Sequence, residues 1–241
     1  MPSITLFIVT PKPNSIVEVI QKLHEKKIDD GWFIAKQSNY VKDEVEVSYF
    51  FYETLEDNLR KVINTDDLHE ITSILMKNGN FLILRKVICF LNVKYGLLEV
   101  YRGLDDVTKR VKESMEKLLD VKLEIVKLDS NSLKSIIDNH TEEVRQAMFK
   151  NVDGFWYTVL RGTKLEVNPK FKAYLAKNHN SLRVISIRPR IRYLNGKRYT
   201  VTINGDRGTL RFSYVDSFKW RPRFEVRQIT YIVMSALGFC K

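Results

Sequence analysis

The pair Asn195–Gly196 constrains this chain more than any other two residues. It lies between residues 187–194 and 197–203, two strand-like runs, and Asn-Gly tolerates the two positive φ angles of a two-residue type I′ turn. Such a turn predicts an antiparallel hairpin with Leu194 facing Lys197, and so Arg192 opposite Tyr199, Arg190 opposite Val201 and Arg188 opposite Ile203. Arg188, Arg190 and Arg192 then project from one face at intervals of about 6.6 Å, close to the spacing of phosphates along an extended backbone. Two features press against this register. The same face would carry Val201 and Ile203, and Pro189 has no N–H for a ladder, so an edge or a bulge is expected there.

The charge distribution makes this hairpin a binding candidate. The chain has 241 residues with net charge +11, yet residues 1–150 are at net −2 while residues 151–241 carry net +13. Arginine is concentrated in the same place, with 11 of the 16 after position 150. Its planar fork binds phosphate bidentately, reaches guanine edges and stacks on rings, whereas lysine is more often a solubilising point charge. Residues 183–227 alone hold net +9, a density at which self-repulsion opposes folding unless an anionic partner benefits. The alternative is a solvated sheet face, or a basic lobe neutralised by the acidic first half.

Besides the three arginines, the candidate surface takes in Lys197, Arg198, Tyr199, Arg211 and Arg227. Arg207 joins it from the turn Asn204–Gly205–Asp206–Arg207–Gly208, where glycines expose backbone N–H groups, although Asp206 counts against a strong anion nest. Lys219, Trp220, Arg221, Pro222 and Arg223 form a second constellation, with bases on both sides of an indole and a proline that holds the segment extended. Tyr193 and Tyr199 are within reach of guanidinium groups or bases. For them, as for Phe212 and Tyr214, the competing reading is ordinary core packing.

The rest of the chain reads as a mixed order of strands and helices. Strands are expected near 4–9, 32–35, 45–52, 81–84, 87–93, 97–101, 121–128 and 209–215; helices near 15–27, 105–119, 130–137 and 226–237. Asn14 is an N-cap candidate, Asp105 and Asp106 suit the positive N-terminal end of the helix near 105–119, and Asn168–Pro169 opens a further helix that ends near Asn178. Asp153–Gly154 suggests a hairpin between 144–152 and 155–160, with a helix over 141–149 as the alternative. Residues 54–78 resist assignment. Prominent antiparallel hairpins without a regular βαβα run predict an α+β fold: two lobes of mainly antiparallel sheet with packed helices. A soft boundary at 129–142 separates a near-neutral lobe, 1–128, from a basic, hairpin-rich lobe, 129–241, unless the two are continuous.

Most enzyme chemistry lacks its motifs. The ten glycines form neither G-x-G-x-x-G nor a Walker A loop, which disfavours nucleotide-driven mechanisms. His24, His69, His140 and His179 are isolated, and Cys89 and Cys240 are too few for a disulfide framework or a zinc site, so no cofactor and no metal is expected. The cysteine count points to a reducing, intracellular setting, cytoplasmic or nuclear. Met1–Thr10 resembles a first strand more than a signal peptide, and residues 81–93, broken by Arg85 and Lys86, fall short of the ~20 that span a bilayer, so no membrane partner is expected. Asp120, Glu124, Lys127 and Glu99 make a weak nuclease cluster. The expectation is a non-enzymatic nucleic-acid-binding protein or subunit, for DNA or RNA. The alternatives are an interaction module for an acidic partner, with the N-terminal half docking a protein or a second copy, and a metal-dependent nuclease.

Overall fold

The computed structural model describes residues 3–28, 31–54, 59, 73–74, 82–194, 196–213 and 222–239. Its first part runs β1 (Ser3–Thr10), α1 (Ile16–Leu23), β2 (Lys27–Ile28), β3 (Gly31–Gln37), β4 (Glu44–Thr54), β5 (Leu82–Asn92), β6 (Leu97–Val100), α2 (Asp106–Leu119) and β7 (Lys122–Ile125). Then follow α3 (Ser130–His140), β8 (Thr141–Val152), β9 (Phe155–Arg161), α4 (Pro169–Lys177), β10 (Leu182–Pro189), β11 (Val201–Asn204), β12 (Thr209–Phe212) and α5 (Arg223–Ala236). The fold is α+β. All the strands join one antiparallel sheet, ordered β2-β3-β4-β5-β6-β1-β12-β11-β10-β8-β9, with β7 beside β1.

Strand β1 is the hub. One of its edges pairs with β6, while the other pairs with β12 over Ser3–Thr5 and with β7 over Phe7–Thr10. Because strand side chains alternate, β1 feeds both faces of the sheet. Phe7 and Val9 enter a cluster with Val19 and Leu23 of α1 and Val111 and Met115 of α2. Ile4 and Leu6 enter a second cluster with Ile136 of α3, Ile185, Ile187, Val201, Ile203, Leu210 and Phe212 of the sheet, and Ile229 and Val233 of α5. The helices therefore cover opposite faces: α1 and α2 over the strands before β1 in the sheet order, α3 and α5 over those after it. The second cluster also takes Leu97, Val126 and Leu128, so its side chains come from both sides of residue 129.

Local chemistry accounts for the helix starts. Ser15, one residue after the expected Asn14, caps α1 by accepting from the Glu18 N–H at 3.1 Å. Asp105, Asp129 and Asn168 cap α2, α3 and α4 in the same way, and Pro169 occupies the first turn of α4. The Asp153–Gly154 turn joins β8 to β9 as a hairpin, so residues 141–149 are strand and not helix. Residues 82–92, expected as two strands, run as one.

The register expected around Asn195–Gly196 is not formed. Ile187 lies opposite Val201 and Ile185 opposite Ile203, three residues away from the expected pairing. An odd shift exchanges the faces, so the apolar residues meet in the core instead of sharing a face with arginines. Pro189 ends β10, and α5 captures the following segment: the Glu225 carboxylate accepts from the Leu194 N–H at 2.9 Å, and Gln228 accepts from the Arg192 N–H at 2.9 Å and donates to its carbonyl at 3.0 Å. Helix side chains replace the missing ladder.

Three strands converge at Gly208. Its carbonyl accepts from the Leu6 N–H at 2.9 Å, its φ is +57°, and a Cβ there would lie 2.5 Å from the Val126 carbonyl oxygen. Gly208→Ala is expected to lower the unfolding free energy by roughly 1–3 kcal/mol, measured by urea denaturation. Gly154→Ala, also at positive φ but with nothing within 4 Å of the new Cβ, isolates the conformational part of that cost.

Candidate nucleic-acid interface

Strand register builds a polar row across six strands. Arg161 of β9 lies opposite Gln146 of β8, Gln146 opposite Ser186 of β10, Ser186 opposite Thr202 of β11, Thr202 opposite Arg211 of β12, and Arg211 opposite Ser3 of β1. The next row runs Val159, Met148, Val184, Asn204, Thr209 and Thr5. At about 4.8 Å per strand, Arg161 and Arg211 stand roughly 19 Å apart. These rows face away from α3 and α5, which cover the other side of the same strands, and so this face keeps its polar side chains.

The row is ordered by its own contacts. The Arg161 Nε donates to Gln146 Oε1 at 2.9 Å, and the Ser186 and Thr202 hydroxyls share a hydrogen bond of 2.7 Å. Beside Arg211 the β11–β12 turn raises Arg207, whose N–H donates to Asn204 Oδ1 at 3.0 Å. Asp206, the acid next to it, turns to the Arg183 Nε at 3.5 Å. Arg207 and Arg211 are exposed, and no carboxylate among the described residues pairs with either. They border a groove with Val184, Thr202, Thr209, Leu104 and Asp105 among its lining residues. Asp105 itself is engaged, capping α2 and pairing with the Arg102 Nε at 2.6 Å.

The other basic candidates among the described residues do not gather into the expected patch. Arg188 is on this face but pairs with the buried Glu143 at 2.9 Å, a carboxylate that also holds the Arg145 Nε at 2.9 Å. Arg198 pairs with Glu142 at 3.2 Å. Arg190 donates to the Thr141 carbonyl at 3.2 Å, and Arg190, Arg192 and Lys197 lie in the exposed segment after Pro189. Tyr199 is core: 2% exposed, it packs between Tyr193 and Phe212. Lys219, Trp220, Arg221, Tyr214 and Cys240 lie outside the described residues, as do Asn195, His69 and most of 54–78.

Arg223 is the largest correction, because it is buried. Its guanidinium contacts both oxygens of Glu44, reaches Glu99 at 2.5 and 3.1 Å and the Tyr101 hydroxyl at 3.0 Å, and lies 4.0 Å from the centre of the Phe90 ring. Arg227, half-buried, adds a longer contact to Glu44 at 3.8 Å, and Ser38 donates to Glu44 at 2.8 Å. Carboxylates from β4 and β6 thus neutralise two arginines of α5. Burial pushes Glu99 above the usual carboxylate range against the pull of Arg223, with Glu44 adding to the rise; burial, then Glu99, raises the Tyr101 phenol. The nuclease cluster is not assembled either. Glu99 belongs to this buried network, Glu124 is exposed and pairs with Lys122 at 2.5 Å, and Asp120 is the left-handed C-cap of α2. Among the described residues no group of three His, Cys, Asp or Glu could hold a metal ion, and no helix is long and apolar enough to cross a membrane.

Gln146, Ser186, Thr202 and Arg161 were not singled out in the sequence, although part of their arrangement was available there. A two-residue turn at Asp153–Gly154 already sets Gln146 opposite Arg161. No protein-family model matches this chain, and no curated protein matches it.

Arg223→Ala would leave two buried carboxylates without their cation and is expected to cost about 3–5 kcal/mol in urea denaturation, the deficit shrinking as acid protonates them. The raised Glu99 means that the folded chain holds more protons than the unfolded one above the ordinary carboxylate range, so this group's contribution to stability falls as pH rises through that window. Glu99→Gln is expected to flatten that part of the stability profile.

Proposed function

We propose that this protein is a non-enzymatic nucleic-acid-binding protein, or the nucleic-acid-binding subunit of a complex, and that it binds through the open face of β8–β12. The observation that carries this reading is the pair Arg207 and Arg211, exposed and free of carboxylate partners among the described residues, beside a groove of hydroxyl and amide side chains. A phosphate backbone supplies the anions that two guanidinium groups without carboxylate partners among the described residues lack, and the partly exposed Thr202 and Asn204 supply hydrogen bonds at that surface. The basic part of the chain, 129–241, is the binding lobe in this reading, and the near-neutral part, 1–128, is free to dock a protein partner or a second copy.

The reading is narrower than a general arginine surface. Arg188, Arg198, Arg223 and Arg227 have carboxylate partners within the fold, so replacing them tests stability first and binding second. Arg207 and Arg211 test binding directly, because exposed substitutions away from special features usually change stability by no more than about 0.5 kcal/mol.

The decisive measurement is fluorescence anisotropy with labelled single- and double-stranded DNA and RNA across a salt series. Binding is expected to weaken steeply with salt. Arg207→Glu with Arg211→Glu is expected to weaken it at least about tenfold and to reduce the log–log slope by about 1.5, the share of two phosphates, with an unchanged unfolding midpoint. Salt-insensitive binding, no binding at moderate salt, or a double variant that binds as tightly as the parent would overturn the assignment.

A further inference from the structure

The polar row ends on β9, the last strand of the sheet order, and β9 shows what no interior strand does. Phe155 is 65% exposed, Trp156 80% and Tyr157 54%, three consecutive aromatic residues next to the tight turn at the free edge. Their solvation costs free energy for no gain within the fold, since each could contribute a large buried area if packed. Tyr157 lies opposite Lys150 on β8, and four residues further along the same face comes Arg161, the first member of the polar row. Trp156 points to the other side of the strand, and Asp153 in the adjoining turn pairs with Lys177 of α4.

We propose that these rings are a base-stacking platform and that the nucleic acid taken by the open face is single-stranded. This rests on the binding role proposed above for that face. Exposed rings on both sides of an edge strand, next to cations, match a strand whose bases are splayed and whose phosphates are charged, and they do not match a duplex, whose bases are already stacked on one another. The two parts of the surface are continuous. From Tyr157 along β9 to Arg161, then across the sheet to Arg211, the path is roughly 30 Å, within the reach of the ~4–16 nucleotides that a β-sheet binding surface of this kind engages. Phosphates run along the arginine row, the bases at one end turn onto Tyr157 on that face, and the strand wraps the free edge of β9 to reach Trp156 on the other side.

The test compares the full-length protein with the variant Trp156→Ala/Tyr157→Ala, using a short oligothymidine, a strand of equal length with abasic sites in place of bases, and a duplex. The variant is expected to lose about tenfold in single-strand affinity per ring, while its duplex affinity and its salt slope stay at the parent values, which also shows that it is folded. Parent and variant are expected to bind the abasic strand alike, and Trp156→Phe alone is expected to retain most of the affinity. If the parent binds no nucleic acid, the assignment of the open face has failed and the platform fails with it. If the parent binds strands but the double variant binds them equally well, the platform alone is overturned. It is equally overturned if the variant instead loses binding to anionic vesicles, or loses a dimer seen by sedimentation, with its strand affinity unaltered.

Discussion

Everything in this fold depends on β1 being usable from both sides. A strand whose two faces are both apolar cannot lie at the surface of a sheet; it has to be covered above and below. Residues 4–9, Ile-Thr-Leu-Phe-Ile-Val, meet that condition, and each face receives its own helices, α1 and α2 on one and α3 and α5 on the other. The covers are staggered because one edge of β1 pairs with β6 while the other edge is divided between β12 and β7. The stagger uncovers one face beyond β1, and the groove beside Arg211 lies there. The candidate interface is thus a consequence of how the core is shared.

The buried Arg223 network solves a problem that the same arrangement creates. Helix α5 covers β10–β12, yet its first turn extends over β4, β5 and β6, where the sheet presents Glu44, Phe90 and Glu99. Two carboxylates in one buried place repel each other and resist desolvation. A guanidinium that reaches both while lying over an aromatic ring is one of the few groups that can satisfy them together. Helix α5 then turns its Glu225 and Gln228 side chains to the backbone after Pro189. One helix therefore closes two polar accounts, one in the sheet and one in the strand that proline interrupts.

Much of the fold was legible from short-range signals. The Asp153–Gly154 hairpin and the Asn168–Pro169 helix start depend on interactions within a few residues, and they form as the sequence indicates. The hairpin at Asn195–Gly196 did not, because its turn preference competes with long-range bonds from a helix about 30 residues further on. The warning was local nonetheless: Val201 and Ile203 on an arginine face, and Pro189 in the ladder, already conflicted with the register. The candidate site was harder to read. Arg161 and Arg211 come into one row only through the order β9-β8-β10-β11-β12, in which β10 inserts beside β8 after α4 has intervened in the chain, and no residue pattern marks that order.

The arginine-rich stretch illustrates why charge density alone misleads. Ten guanidinium groups within 183–227 suggested one surface, but folding placed a carboxylate beside several of them: Glu143 by Arg188, Glu142 by Arg198, Glu44 and Glu99 by Arg223, Asp206 by Arg183. These contacts relieve the self-repulsion that so dense a cluster imposes, and they do so with acids that are distant in sequence, most of all for Arg223. Arg207 and Arg211 remain on the uncovered face without such relief from any carboxylate among the described residues. The self-repulsion that folding relieves at the other arginines is thus left standing at these two, and that residual positive charge is what the proposed anion-binding role draws on.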